Sequence, residues 1–224
     1  MSDQTTVTEV IETISLDQIT KELGVRYPGT LASFQRFSPG RVMTSLWACK
    51  RAFVSYHGVY PEDFLKRVYV LLEVQPSWKI CHLFSGMVKK TFPDEVRVDL
   101  NPAVEAEFYE DAVHTHFDDG TFDLTLVDGP YDEENAKIYG YPYAHIKETI
   151  LEASRITKVG GLYGIMHFVV PINWAKDKRE AIIAITEGAN MRIRGWYLFR
   201  KLPHEDTLAL ALERATQLRL QVPA

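Results

Sequence analysis

The chain has only two cysteines, Cys49 and Cys81, far apart and each inside an apolar stretch. That scarcity argues against a disulfide and predicts two buried free thiols in a reducing compartment. No uninterrupted apolar run is long enough to cross a bilayer, and Met1-Ser2-Asp3-Gln4-Thr5-Thr6 is not a basic start followed by an apolar block. These absences predict a cytoplasmic protein with no membrane partner. Positive charge is also in short supply: 25 Lys and Arg against 30 Asp and Glu give a formal charge of −5. A surface that attracts nucleic acid everywhere is thereby excluded, and only local basic faces remain. The pairs Lys50-Arg51, Lys66-Arg67, Lys89-Lys90, Lys178-Arg179 and Arg200-Lys201 read as solvated ends of elements. Internal repeats, low-complexity tracts, a Gly-x-Ser-x-Gly elbow and a phosphate-cradling Gly-Lys-Thr loop are all missing.

What is present is ordinary globular composition, with 46% hydrophobic and 25% charged residues over 224 positions, enough for one domain with an appendage. We divide the chain at residue 59: a helical and loop appendage over 1–59, and an α/β domain over 60–224. In the first part Ser15 caps a helix whose Leu16, Ile19 and Leu23 share a face before Gly24 ends it, and a second helix is expected over Val42–Ser55. The Ser15–Gly24 segment resembles the first helix of a helix-turn-helix, but Arg26-Tyr27-Pro28-Gly29 does not continue into a recognition helix. Pro61, Glu62 and Asp63 mark another helix start, with Phe64, Val68, Leu71 and Leu72 at helical spacing and Pro76 as its stop. Beyond it, β-rich runs alternate with helical ones. Strands are expected at 79–84, 96–99, 122–128, 162–168, 191–199 and 207–213, and helices at 103–109, 144–156 and 174–187. The alternation predicts a Rossmann-like, doubly wound, mostly parallel sheet, and the short connection 202–206 adds an antiparallel C-terminal strand pair.

In such a sheet, ligands bind outside the carboxyl ends of the strands. Gly86, Asp99 and Asp128 all fall at such ends. Asp128-Gly129-Pro130-Tyr131 closes the apolar run 122–127. This stretch resembles the Asp-Pro-Pro-Tyr signature of amino-methyltransferases, and the resemblance implies that the Asp128 carboxylate and the Gly129 carbonyl accept the two hydrogens of an exocyclic amine, while Tyr131 stacks on the ring that carries it. Acceptors aimed at an amine leave its lone pair facing a methyl donor and favour the positive charge that develops on transfer.

Taken in order, these positions resemble the class I S-adenosylmethionine-dependent methyltransferases over about Tyr60 to Glu213. Leu83-Phe84-Ser85-Gly86-Met87 is similar to the family's first motif, a glycine turn that the methionine part of the donor approaches. Asp99, with Leu100 after it, resembles the acid that receives both ribose hydroxyls. Asp111 with Ala112 resembles the pair that recognises the adenine ring, and Thr157-Lys158-Val159-Gly160-Gly161 resembles the turn before the family's fifth strand. Asp128-Gly129-Pro130-Tyr131 is one residue away from the Asp-Pro-Pro-Tyr signature of enzymes that methylate adenine N6 or cytosine N4 in DNA. The compact Leu-Phe-Ser-Gly-Met turn resembles small methyltransferase-like proteins of phages and mobile elements. The resemblance implies S-adenosylmethionine as cofactor, DNA as substrate, and a catalytic role for Asp128, Gly129, Pro130 and Tyr131. Tyr139, Tyr141 and Tyr143 would overhang the acceptor side and stack on an extruded base.

The chain departs from that pattern in having one glycine in the turn, Gly129 in place of the first proline, and no insertion large enough to be a target-recognition domain. With only residues 87–98 between the turn and the ribose acid, the intervening helix must be short or missing. The acidic run 132–134 opposes a phosphate path directly across it. Two rival functions stay open: a methyltransferase of the same fold acting on a small molecule, and a catalytically silent descendant that binds a partner or the donor. His114 and His116, near Asp118 and Asp119, lack a third convincing ligand and read as a polar loop, so no metal is expected.

Overall fold

The computed structural model describes residues 32–35, 42–50, 58–187 and 190–203. Its elements are β1 (Ala32–Gln35), β2 (Met43–Cys49), α1 (Phe64–Leu71), β3 (Ile80–Leu83), β4 (Val96–Val98), β5 (Phe122–Val127), α2 (Glu133–Tyr139), α3 (Ile146–Ile156), β6 (Thr157–His167), β7 (Lys178–Glu187) and β8 (Asn190–Arg200). One sheet of eight strands runs in the order β1-β2-β7-β8-β6-β5-β3-β4. From β4 through β3 and β5 to β6 every neighbour is parallel. β8 lies antiparallel between β6 and β7, β2 runs parallel to β7, and β1 is antiparallel to β2. This is the expected α/β sheet with an antiparallel strand pair, here β7 and β8; the pairing expected of 191–199 with 207–213 lies in part outside the described residues, as does the expected helix 15–24.

Side chains alternate across the sheet, so each face acquires its own core. On one face α1 lays Phe64 and Val68 against Trp47, Leu124, Leu126, Met166, Ile183, Ile185, Trp196 and Leu198. On the other, α3 lays Ile150, Ala153 and Ile156 against Cys81, Leu83, Tyr163, Ile165, Tyr197 and Phe199. Removing an Ile, Leu or Phe side chain from water stabilises by about 1.5–3 kcal/mol, so these two layers dominate the fold. Trp196 anchors the first layer, with Trp47 stacked at 6.3 Å and Phe64 edge-on at 5.6 Å. Both cysteines are free and buried.

Helix ends follow local chemistry. α1 begins after Asp63 and ends where the Leu72 amide returns to Val68, ahead of Glu73 in the left-handed region. His145 caps α3 by accepting from the Lys147 amide, and the Thr157 hydroxyl closes the other end by donating to Ala153 O at 2.6 Å. α2, not anticipated from the sequence, is capped by Asp132, which accepts from the Asn135 amide at 2.7 Å. Gly140 ends it at φ 77°.

Three expected helices are corrected. Over Val42–Ser55 the described part is strand β2, with Trp47 and Cys49 turned inward and Leu46 and Ala48 outward, a period of two that the helical reading overlooked. Over 174–187 the chain turns and then forms β7, where β-branched Ile182, Ile183 and Ile185 and two flanking partner strands favour the extended form. Over 103–109 there is no helix. The Arg97 guanidinium draws Glu107 alongside β4, and Phe108 forms a parallel bridge with Val98. The N-terminal part expected to be helix and loop therefore contributes two strands to the main sheet. β6 begins at Thr157, directly after α3, so the expected turn 157–161 is already strand.

Candidate functional site

A cleft opens at the carboxyl ends of β3, β4 and β5, and no helix intervenes between β3 and β4 to cover it. Its floor is the turn after β3. Phe84 and Gly86 both have positive φ, 55° and 51°. A Cβ at Gly86 would stand 1.9 Å from the Gly58 carbonyl oxygen, so the turn is tolerable only as bare backbone. Asp99, at the tip of β4, fastens this turn: its Oδ2 accepts the Gly86 amide at 2.8 Å and its Oδ1 accepts the Asn101 amide at 2.9 Å. An ionised carboxylate has about four acceptor sites, so each oxygen retains capacity for a ligand hydroxyl.

The far wall comes from the segment after β4. Asp111 is exposed at the mouth, where Oδ1 accepts the Val113 amide at 3.1 Å and Oδ2 faces His114 Nδ1 at 3.4 Å. Ala112 and Val113 are buried behind it. The segment is tied to β4 by the Glu107 carboxylate, which accepts from the Arg97 amide, Nε and Nη2 at 2.9, 3.1 and 3.0 Å. Burial pushes the Glu107 carboxyl up, but the Arg97 and Lys90 hydrogen bonds outweigh it and hold the group at about 2.

At the end of β5, Asp128 is buried and lines the cleft together with Gly129 and Pro130. Its Oδ1 accepts from the Tyr131 hydroxyl at 2.6 Å, and Arg194 Nη1 stands 3.8 Å from Oδ2. Burial raises the Asp128 carboxyl above the usual range, opposed by the Arg194 charge and the Tyr131 hydrogen bond. A Cβ at Gly129 would lie 3.0 Å from Phe84 Cδ2 and 3.1 Å from Cε2. The Phe84 ring thus occupies the flank of Gly129 and explains why a glycine stands in this position.

Tyr139 of α2, the following Tyr141, Pro142, Tyr143 and Ala144, and Glu148 of α3 complete the wall. The lining carries Asp99, Asp111, Asp128, Glu148 and His114, with no Lys or Arg among its described residues. It is an acidic, partly aromatic cleft suited to a ligand with positive charge and flat rings.

Of the residues singled out from the sequence, Phe84, Gly86, Asp99, Leu100, Asp111, Ala112, Asp128, Gly129, Pro130, Tyr139, Tyr141 and Tyr143 share this one cleft. Leu83 and Ser85 are buried beneath it, and Met87 is exposed. Tyr131 is not in the lining; its ring packs edge-on against His167 at 5.5 Å and against Phe168 at 4.4 Å, with its hydroxyl on Asp128. Sequence reasoning missed Gly58, His114, Glu148 and Arg194. Gly58 and Gly86 meet only through the fold, and Arg194 sits in a strand whose sequence gives no motif. Among the described residues no cluster of three or more His, Cys, Asp or Glu is placed to hold a metal, and His116 is instead paired with Glu110 at 2.8 Å. None of the described helices is long and apolar enough to cross a membrane.

The sequence matches no family model and none of the curated proteins. Among solved structures, the chain is similar to a putative methyltransferase from Escherichia coli, at 11% identity and a TM-score of 0.47, over 65% of this chain and 90% of that one. It is also similar to geranyl diphosphate methyltransferase in complex with GPP and sinefungin, at 12% identity and a TM-score of 0.41, over 62% and 78%. A third is a SAM-dependent methyltransferase from Methanosarcina mazei, at 12% identity and a TM-score of 0.38, over 64% and 98%. Likenesses this distant leave the functional argument to the site itself.

Proposed function

We propose that the chain is an S-adenosylmethionine-dependent methyltransferase acting on the exocyclic amine of a nucleobase, adenine N6 in DNA. The observation that carries this reading is the convergence of Gly86, Asp99, Asp111 and Asp128, from four separate segments, on one cleft at the strand ends. The residues fit the donor. The Gly86 turn offers bare backbone where the methionine part would lie, and Asp99 keeps acceptor capacity for the ribose hydroxyls. Asp111 and Ala112 suit the adenine edge, and the acidic lining suits a sulfonium and an ammonium group.

When bound, the donor supplies an electrophilic methyl group on sulfur, which becomes a neutral thioether as the nitrogen gains the methyl. Asp128 and the Gly129 carbonyl orient the amine by accepting its hydrogens and favour the charge that grows on nitrogen. Because burial raises its carboxyl, Asp128 is also a competent acceptor for the proton that the methylated nitrogen sheds. Tyr139, Tyr141 and Tyr143 offer rings on which the acceptor can stack.

A second reading, a small-molecule amine as acceptor, is favoured by one observation. The lining holds no Lys or Arg among its described residues, and the Asp132 and Glu133 charges act on its Tyr143, an environment that repels a phosphodiester. Calorimetry tests the donor site: Asp99→Ala should weaken S-adenosylmethionine binding by about tenfold or more, while Asp128→Ala should bind it normally and transfer no methyl group. Tritiated-methyl transfer over DNA, RNA and small-amine pools then chooses the acceptor. No heat from the wild type with either the donor or its demethylated product would end both readings.

A further inference from the structure

Behind the cleft, a chain of paired groups crosses the sheet from the end of β5 to β7. Tyr131 donates to Asp128 Oδ1 at 2.6 Å, Arg194 Nη1 donates to the Tyr131 hydroxyl at 3.0 Å, and Arg194 Nη2 is paired with Glu187. Arg194 comes from β8 and Glu187 from β7, and their side chains are only 14% and 19% exposed. Withdrawing two charged groups this far from water is costly unless each is closely paired, and here each has a partner. The Tyr131 ring packs against both His167 and Phe168, which restricts the direction of its hydroxyl.

Resting on the methyl-transfer reading, we infer that Arg194 is a positioning residue: through Tyr131 it orients the Asp128 carboxylate at the cleft, while Glu187 holds the guanidinium in place. An amine can be received only by a carboxylate, since a protonated Asp128 would present a competing O–H donor. The surroundings leave that task to Arg194. Burial drives up the phenols of Tyr60, before α1, and of Tyr131, and it raises the Cys49 thiol on β2 to about 11, so none of these is a competing anion. Burial pushes the His167 imidazole down, so it adds no cation at neutral pH. Arg67 and Asp63 act on the Cys49 side of the group. Arg194 is therefore the cation that faces Asp128 among the described residues.

The test compares full-length wild type, Arg194→Met and Arg194→Lys in two measurements. The first is carbon-13 titration of labelled aspartate, with Asp128 assigned through Asp128→Asn. The second is donor calorimetry. Arg194 lies outside the cleft lining, so donor affinity should agree among the three within about twofold. The Asp128 midpoint should rise by about one pH unit or more in Arg194→Met and return at least partly in Arg194→Lys. With whichever acceptor the transfer assay identifies, the acid limb of kcat should move with that midpoint while KM stays near its original value. An unmoved midpoint in folded Arg194→Met overturns the inference and leaves Arg194 a structural tie. Should Arg194→Met not fold, Tyr131→Phe takes its place: it removes the relay and spares the charge, so it should also raise the midpoint, and no change overturns the inference. Failure of the methyl-transfer reading looks different, because wild type would then give no heat with the donor even where the titration shifts, and the positioning role would fall with it.

Discussion

The contact between Phe84 and Gly129 admits a test in which the sign of an effect reverses. Adding a methyl group at residue 129 brings it to 3.0–3.2 Å from three atoms of the Phe84 ring. Overpacking of this kind costs about 1–3 kcal/mol. Gly129 is not in the left-handed region, so alanine strains nothing else there, and restricting the unfolded chain returns about 0.4–1 kcal/mol. Gly129→Ala should thus destabilise by up to about 2.6 kcal/mol in the natural background. In Phe84→Ala the ring is gone while the positive φ of residue 84 keeps the same cost before and after the second substitution. There Gly129→Ala should become neutral or stabilising, with a coupling of about 1–3 kcal/mol. Urea unfolding of the four proteins measures this coupling, provided the slopes agree. An equal loss in both backgrounds would refute the reasoning, and with it the explanation of why a glycine stands at residue 129.

Two further outcomes follow from the floor and the wall of the cleft. Gly86→Ala meets the Gly58 carbonyl at 1.9 Å and must hold φ near 51°, so unfolding free energy should drop by about 2–4 kcal/mol and calorimetric donor binding should vanish; a variant that binds normally would contradict a bare-backbone floor. The Glu107 carboxyl sits at about 2, below its value in an unfolded chain, so its stabilising contribution is complete above the ordinary carboxylate range and disappears as pH falls toward 2. Glu107→Gln should therefore flatten the stability curve between about pH 5 and pH 2 in urea titrations, and an unchanged curve would show that the Arg97 pair does not hold that wall.

What was legible in the sequence shares one property: it is encoded locally. An acid placed directly after an apolar β-rich run marks a strand tip, which is why Asp99 and Asp128 could be assigned to the ends of β4 and β5 without coordinates. α3 was readable for the same reason, as the helix expected over 144–156, which the structure forms over Ile146–Ile156. β2 and β7 were mistaken for helices because their short apolar runs suit either period, and what decides them is the presence of each other: seven residues of β2 pair with β7 across a separation that no local pattern reports. The missing helix at 103–109 has a similar cause, since Arg97 captures Glu107 and the backbone follows the ion pair along β4. α2 was hidden by its brevity, its cap being the same Asp132 that reads simply as part of an acidic run.

The two halves of the sheet accordingly make different demands on sequence. On the β4-β3-β5 side, binding surface is made from turns at strand ends, where a glycine or an acid has a short-range geometric reason to be in place. On the β6-β8-β7-β2 side, the environment of Asp128 is made by side chains reaching across strands, and Arg194 meets Glu187, Tyr131 and Asp128 only because β8 is inserted antiparallel between β6 and β7. Were β8 displaced from this position, the guanidinium would leave the group it faces, and Asp128 would be a buried acid without a cation beside it. The strand insertion thus supplies, from a segment without any motif, the charge that opposes the upward push of burial on the Asp128 carboxyl.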